Sequence, residues 1–144
     1  MQGLILVNLF TLIKVKIMQN NALIIVAHGS RKASSNEEVR VLGEKVESLL
    51  GKHYAYVMTA FLEFATPSLE ESILTYIDKG ISEIVILPYF LASGNHVTLD
   101  IPEVVQNIQV SHPEVKMILK EHIGSASGMV GLLSEIAVSS NKEL

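Results

Sequence analysis

There is no cysteine among the 144 residues. That excludes disulfide scaffolds, zinc ribbons and thiol catalysis, and it suits a reducing, cytoplasmic setting. Charge is scarce too: Asp, Glu, Lys and Arg make up 18% of the chain, with a formal net charge of −4. Lys and Arg nowhere cluster, so the footprint of a nucleic-acid binder is missing. No apolar run reaches the about 20 residues that a bilayer span requires, so no membrane partner is expected. Gly-x-Gly-x-x-Gly and P-loop strings are absent, which removes the usual nucleotide-binding signatures. The nearest approach to a serine-hydrolase elbow, Gly124-Ser-Ala-Ser-Gly128, has the wrong spacing. Internal repeats, low-complexity tracts and interior linkers are also lacking. What is present in quantity is hydrophobic side chain, 49% of residues. This is a globular composition, and the length fits one domain with a substantial core.

The N-terminal stretch stands apart. Leu4 to Ile17 is apolar but broken by Asn8, Thr11, Lys14 and Lys16. A secretory signal has its positive charges before the apolar stretch and small residues at a cleavage site after it. Here the lysines come late, and Met18-Gln-Asn-Asn21 is no such site. Residues 1–20 therefore read as an extension outside the domain, with Met18 as a plausible alternative start, and 21–144 as a single domain.

From Ala22 the pattern alternates. Ala22–Ala27 is a continuous aliphatic run, as expected of a strand covered on both faces. A helix is expected from about Asn36 to Leu50, capped by Ser34 or Ser35, with Val39, Leu42, Val46, Leu49 and Leu50 inward and Gly51 as its stop. Tyr54–Phe61 reads as a second strand. Thr66 should cap the next helix, with Pro67 in its first turn and Leu69, Ile73, Leu74 and Ile77 inward. Glu83–Leu87 is the third strand, ended by Pro88. A helix up to about Ile108, a strand at Val115–Leu119 and a helix at Ser127–Val138 follow. Strands alternating with helices of this length predict an α/β fold, a three-layer sandwich around a four-stranded parallel sheet.

Ligands of such sheets bind outside the carboxyl ends of the strands. The expected strand ends supply His28, Glu63, His96 and His122. Imidazole is the commonest protein ligand for metals, so His28 and His96 are candidate metal ligands and catalytic groups. Glu63 sits among Phe61, Leu62, Phe64 and Ala65, where a carboxylate is either paired or raised in pKa. The competing reading is a helix-start charge. His122, beside Lys120 and Glu121, reads as solvated, and His53 and His112 read as surface residues. The Gly29-Ser30-Arg31 turn offers amides to an anion, and Arg31 offers a fork for a carboxylate. A histidine phosphatase would carry Arg-His-Gly after its first strand, whereas Ala27 precedes His28.

These strings occur in a particular order: Ala27-His28-Gly-Ser-Arg31; Phe61-Leu-Glu63 followed by Pro67-Ser-Leu-Glu-Glu71; Leu87-Pro-Tyr-Phe-Leu91 through Gly94-Asn-His96 to Asp100-Ile-Pro102. Together, from about Ala22 to Leu133, they resemble the small single-domain sirohydrochlorin chelatases of the CbiX type, in the class II chelatase family. The resemblance implies a chelatase-like, flavodoxin-like fold. It also implies insertion of a divalent metal into the tetrapyrrole sirohydrochlorin, typically Co²⁺, with Fe²⁺ or Ni²⁺ in close relatives. The metal is then a substrate, and no organic cofactor is expected. The family's metal-handling histidines map onto His28 and His96, and Glu63 falls where the family carries an acidic residue near the metal. Ser30 and Arg31 are candidate contacts for substrate carboxylates. The extension departs from the family pattern, and the histidine-rich tract of some members is missing. A non-catalytic metal or tetrapyrrole carrier on the same fold remains the alternative.

One small domain offers a single wall to a macrocycle, and a two-fold homodimer would supply the second. Tyr89, Phe90 and Leu91 are expected either at that interface or over the domain's own core.

Overall fold

The computed structural model describes residues 19–140. The extension over Leu4–Ile17 lies outside them. Four strands, β1 (Asn21–Ala27), β2 (Tyr56–Phe61), β3 (Glu83–Pro88) and β4 (Lys116–Leu119), form one parallel sheet in the order β2-β1-β3-β4. Four α-helices accompany it: α1 (Ala33–Leu50), α2 (Leu69–Asp78), α3 (Ile101–Ser111) and α4 (Gly128–Val138). A π-helical turn, His96–Asp100, runs into α3, and a 3₁₀ turn, Ile123–Ser125, precedes α4. Among the described residues no helix is long and apolar enough to cross a membrane.

β1 is the centre. It pairs with β2 on one edge and β3 on the other, and Ala22 to Ala27 are all buried. Even-numbered β1 residues face α2 and α3 in the larger core, with Ile73, Tyr76, Ile84, Ile86, Ile101 and Ile108. Odd-numbered residues, Leu23 and Ile25, face α1 in the smaller core. Burial of the Tyr76 phenol raises its pKa well above the ordinary value.

Several local expectations are corrected. Helix α1 starts at Ala33 with Lys32 at its N-cap and no side-chain cap, rather than behind Ser34 or Ser35. Its inner stripe is Asn36, Val39, Gly43, Val46 and Leu50, while Leu42 and Leu49 are exposed. Gly43 is the cause: an ideal Cβ there would lie 2.2 Å from Thr59 Oγ1, so the helix packs against β2 on its glycine and rotates the leucines outward. Helix α2 is capped by Ser68, not Thr66. Ser68 Oγ accepts from the Glu71 amide, and Glu71 Oε2 accepts from the Ser68 amide, a reciprocal capping box. Pro67 stays outside the helix because its carbonyl accepts from the Phe61 amide and so extends the sheet. Leu74, expected inward, is exposed, and Tyr76 takes its place in the core.

The corrected inner face of α2 is testable. Ile73→Ala removes a fully buried side chain and should cost about 2–5 kcal/mol, whereas Leu74→Ala should cost under about 1 kcal/mol. Urea unfolding of the two variants checks this, and equal losses would restore the leucine to the core.

Candidate metal centre

The chain leaves β1 toward β2 on one side and β3 toward β4 on the other, so the loops after β1 and β3 diverge. The gap between them is the topological switch point where such sheets hold ligands. His28 is the first residue beyond β1, and His96 begins the π-helical turn after β3. Their Nε2 atoms are 3.0 Å apart. Glu63, beyond β2, brings Oε2 to 3.9 Å from His28 Nε2. One ligand atom from each of the three lies within 4.8 Å of the others.

The hydrogen bonds behind the rings fix their chemistry. His28 Nδ1–H donates to the Gly29 carbonyl at 3.0 Å. His96 Nδ1–H donates to Asp100 Oδ2 at 2.6 Å. With both Nδ1 atoms donating, each neutral ring keeps its lone pair on Nε2. Two lone pairs facing each other at 3.0 Å repel unless a proton or a cation takes them up. At a metal–imidazole distance of ~2.0–2.1 Å, the pair would subtend about 90° at an ion. The Glu63 carboxylate supplies negative charge alongside. Imidazole and carboxylate together suit a first-row divalent ion.

Each of these side chains is held in place by backbone. Past the strand ends the β1–β2 ladder continues: Leu62 N–H donates to Ala27 and Glu63 N–H to His28, at 3.0 and 2.8 Å. Gly29 lies under that crossing with φ of 92°, and an ideal Cβ there would meet the Glu63 carbonyl oxygen at 1.8 Å. The following residue is clamped by buried Asn36, whose Oδ1 accepts from the Ser30 amide at 2.8 Å and whose Nδ2 donates to the Ser30 carbonyl at 2.7 Å. On the other side, the Ile101 amide donates to the His96 carbonyl, closing the π turn that brings Asp100 under its imidazole. Such turns recur at functional sites.

Other expected residues divide. Ser30 Oγ accepts from the Lys32 amide at 3.1 Å. The Ser30 amide, expected to face an anion, is thus consumed within the loop, as is that of Lys32. Arg31 is exposed, its guanidinium 5.1 Å from the Phe64 ring centroid. Glu63 is half-exposed in a loop ahead of α2, so neither enclosure among apolar residues nor a place at a helix start describes it. His122 is partly buried on the edge of a cleft of about 440 Å³ beside the π turn, shared with Ser93, Thr98, Lys120 and Ser125. His112 pairs with Glu114 at 3.3 Å, and His53 is exposed. Tyr89 and Phe90 pack on the chain's own two cores, whereas Leu91 is exposed.

Three contributors escaped the sequence reading. Asp100 sits four residues from His96, a spacing that faces the two side chains together on a helical turn. Asn36 lies on the inward stripe of α1. Phe64, at φ 61°, is a bulky residue in the left-handed region, which costs about 1–2 kcal/mol. Its ring centroid is 6.1 Å from that of His28.

Asp100→Asn should leave the fold intact and weaken divalent-ion binding by about 10–100-fold, because the carboxylate orients the His96 ring and holds its tautomer. Calorimetric titration with Co²⁺ measures this. An unchanged affinity would show that Asp100 plays no part in holding the ring.

A protein-family model described as CbiX matches residues 22–139. A sirohydrochlorin cobaltochelatase of Methanococcus maripaludis is 36% identical over 84 residues, 58% of this chain and 57% of that protein. A sirohydrochlorin ferrochelatase of Priestia megaterium is 30% identical over 115 residues, 80% of this chain and 42% of that protein. A solved structure of a putative cobalamin biosynthesis CbiX protein from Marinobacter aquaeolei superposes with a TM-score of 0.67 at 26% identity, covering 81% of this chain and 93% of that one. The matched part spans less than two thirds of the length of the Methanococcus maripaludis protein and of the Priestia megaterium one. With the family pattern running through nearly the whole described fold, the chain belongs to the CbiX family.

Proposed function

We propose that this protein is a sirohydrochlorin metallochelatase, a lyase-class enzyme that inserts a divalent metal into the tetrapyrrole. The observation that carries the reading is the pair of imidazole lone pairs 3.0 Å apart at the switch point, with Glu63 beside them. The relatives' names, sirohydrochlorin cobaltochelatase and ferrochelatase, supply the substrate. Co²⁺ is the proposed metal, with Fe²⁺ and Ni²⁺ as alternatives that the same donor set accepts. The ion is substrate, and no organic cofactor takes part.

Insertion needs an ion that is held but can leave. His28, His96 and Glu63 are few ligands on a solvent-facing rim, so each can be replaced in turn by a pyrrole nitrogen. The macrocycle takes in M²⁺ and releases two N–H protons. As the ion departs, the freed Glu63 carboxylate and imidazole nitrogens become the nearest bases for them. Phe64 offers a flat apolar face beside His28, and the Arg31 guanidinium above it can fork a substrate carboxylate. Ser30 holds the loop in shape and can add a hydroxyl contact. The proposal includes a cytoplasmic location, a homodimer that gives the macrocycle its second wall, a domain over residues 21–144 and no nucleic-acid or membrane partner.

Turnover of sirohydrochlorin with Co²⁺, Fe²⁺ and Ni²⁺ tests the reading. His28→Ala and His96→Ala should each lose nearly all metal insertion while keeping the wild-type melting temperature. Metal binding without turnover in the wild type would instead identify a carrier. Glu63→Gln should lower kcat more than it weakens macrocycle binding, followed by absorbance. Unchanged kcat across pH 6–8 would remove Glu63 from the proton steps.

A further inference from the structure

The carboxyl ends of the strands form one row, in the order of the sheet, β2-β1-β3-β4. Glu63 follows β2, His28 follows β1 and His96 follows β3. Those three carry the proposed metal handling, and the β4 end has no role in it. Lys120 and His122 stand at that end. They line the cleft of about 440 Å³ together with Ser93 and with Thr98, which lies in the π turn that His96 begins.

The β4 end is a built structure. The Lys120 amide donates to the Ile86 carbonyl at 2.8 Å, so the β3–β4 ladder runs on past the last strand residue. The His122 carbonyl accepts from the amide and the hydroxyl of Ser125, at 3.0 and 2.8 Å. The Gly124 amide donates to the Phe90 carbonyl at 3.0 Å, which ties this segment to the loop leading to His96. Backbone is therefore fixed on both sides of His122, while the side chains stay unengaged. Among the described residues neither the Lys120 ammonium, the His122 ring nor the Ser93 hydroxyl has a hydrogen bond or ion pair. His122 is partly buried, yet neither of its ring nitrogens is sealed from solvent. The chain is extended at His122, with φ −66° and ψ 153°. Residues two apart in extended chain face the same side, which brings Lys120 and His122 to one cleft. Glu121 also borders it, with its Oε2 3.3 Å from Ser125 Oγ.

We infer that this cleft holds a carboxylate arm of the tetrapyrrole, with the Lys120 ammonium, a His122 ring N–H and the Ser93 hydroxyl as donors. The assignment rests on the chelatase reading above. A carboxylate takes charge-assisted hydrogen bonds from such donors. Two strand spacings, about 10 Å, separate β1 from β4. The cleft thus lies to one side of the histidine pair, where the arms of a macrocycle project beyond its ring of nitrogens. Arg31, stacked on Phe64 beyond β2, stands on the opposite flank. A polyanionic macrocycle held at both ends of the row is centred on His28 and His96 and cannot turn about the metal. A few placed polar groups commonly fix ligand orientation in this way.

Titration of metal-free sirohydrochlorin into the full-length chain, followed by absorbance, tests the assignment without turnover. Lys120→Met and His122→Leu should each weaken binding about tenfold, the scale of one hydrogen bond to a charged group. Lys120→Arg, which keeps the charge and the donors, should restore most of that loss. Glu121→Gln should tighten binding, because it removes a negative charge beside an anion, and a mere disturbance of structure has no reason to act in that direction. In steady state the losses should appear in KM rather than kcat. Calorimetric Co²⁺ affinity should stay at the wild-type value in all four variants. Unchanged macrocycle binding in both Lys120→Met and His122→Leu would overturn the inference and leave the chelatase reading standing, whereas a wild type that does not bind sirohydrochlorin would overturn both. Co²⁺ affinity that falls in step with macrocycle affinity would make these residues supports of the π turn and overturn it too. Glutarate, titrated alone, distinguishes a free diacid from a macrocycle arm. Tight glutarate binding that is lost in Lys120→Met, with sirohydrochlorin binding retained, would assign the cleft to a free acid and overturn the inference.

Discussion

A parallel strand flanked on both edges and buried on both faces has no freedom left, and β1 is that strand. Its pairing with β2 and β3 is uninterrupted, and its side chains alternate between two cores. Every chemical feature of the molecule follows from what happens when this strand ends. The chain must leave in one direction, the strand on its other side in the opposite one, and the space between is where backbone cannot fill in. His28 and His96 stand on the two banks of that gap.

The candidate metal centre is assembled from loops, yet it has the precision of regular structure. The reason is that each loop borrows hydrogen bonds from the sheet or a helix before it turns away. The β1–β2 ladder runs two rungs past the strand end, Asn36 reaches from α1 to grip Ser30 from both sides, and the π turn closes on the His96 carbonyl. These bonds set positions. The tautomers are set separately, by the Gly29 carbonyl behind one ring and the Asp100 carboxylate behind the other. Division of labour between backbone placement and side-chain polarisation leaves the two Nε2 atoms with nothing to do except accept a cation.

Strands were legible because continuous aliphatic runs have one physical use in a parallel sheet. All four strands lie within two residues of the boundaries read from the chain, and His28, Glu63 and His96 follow from the places where those runs stop. Helix faces were less legible. Periodicity assigns Leu42 and Leu74 inward because leucine is apolar, but close approach at Gly43 and the bulk of Tyr76 set the actual rotation. Glycine carries no hydropathy signal, so a helix that packs on it is misread by a scale that counts side chains. Asp100 and Asn36 were hidden for a related reason: a polar residue on a helix looks solvated until its partner is known, and the partners are a side chain one turn away for Asp100 and the Ser30 backbone for Asn36.

Gly29 carries no functional group, yet it occupies a spot where the loops bearing His28 and Glu63 cross at backbone distance. Any β-carbon there pushes Glu63 off its rung and forces an unfavourable torsion on the residue next to His28. In a saturation-mutagenesis map this position would be as intolerant as a catalytic one. Ranking residues by loss of function would then place a piece of empty space among the reactive groups. Intolerance alone measures how many constraints meet at a point, and at this rim the densest meeting point is an absent side chain.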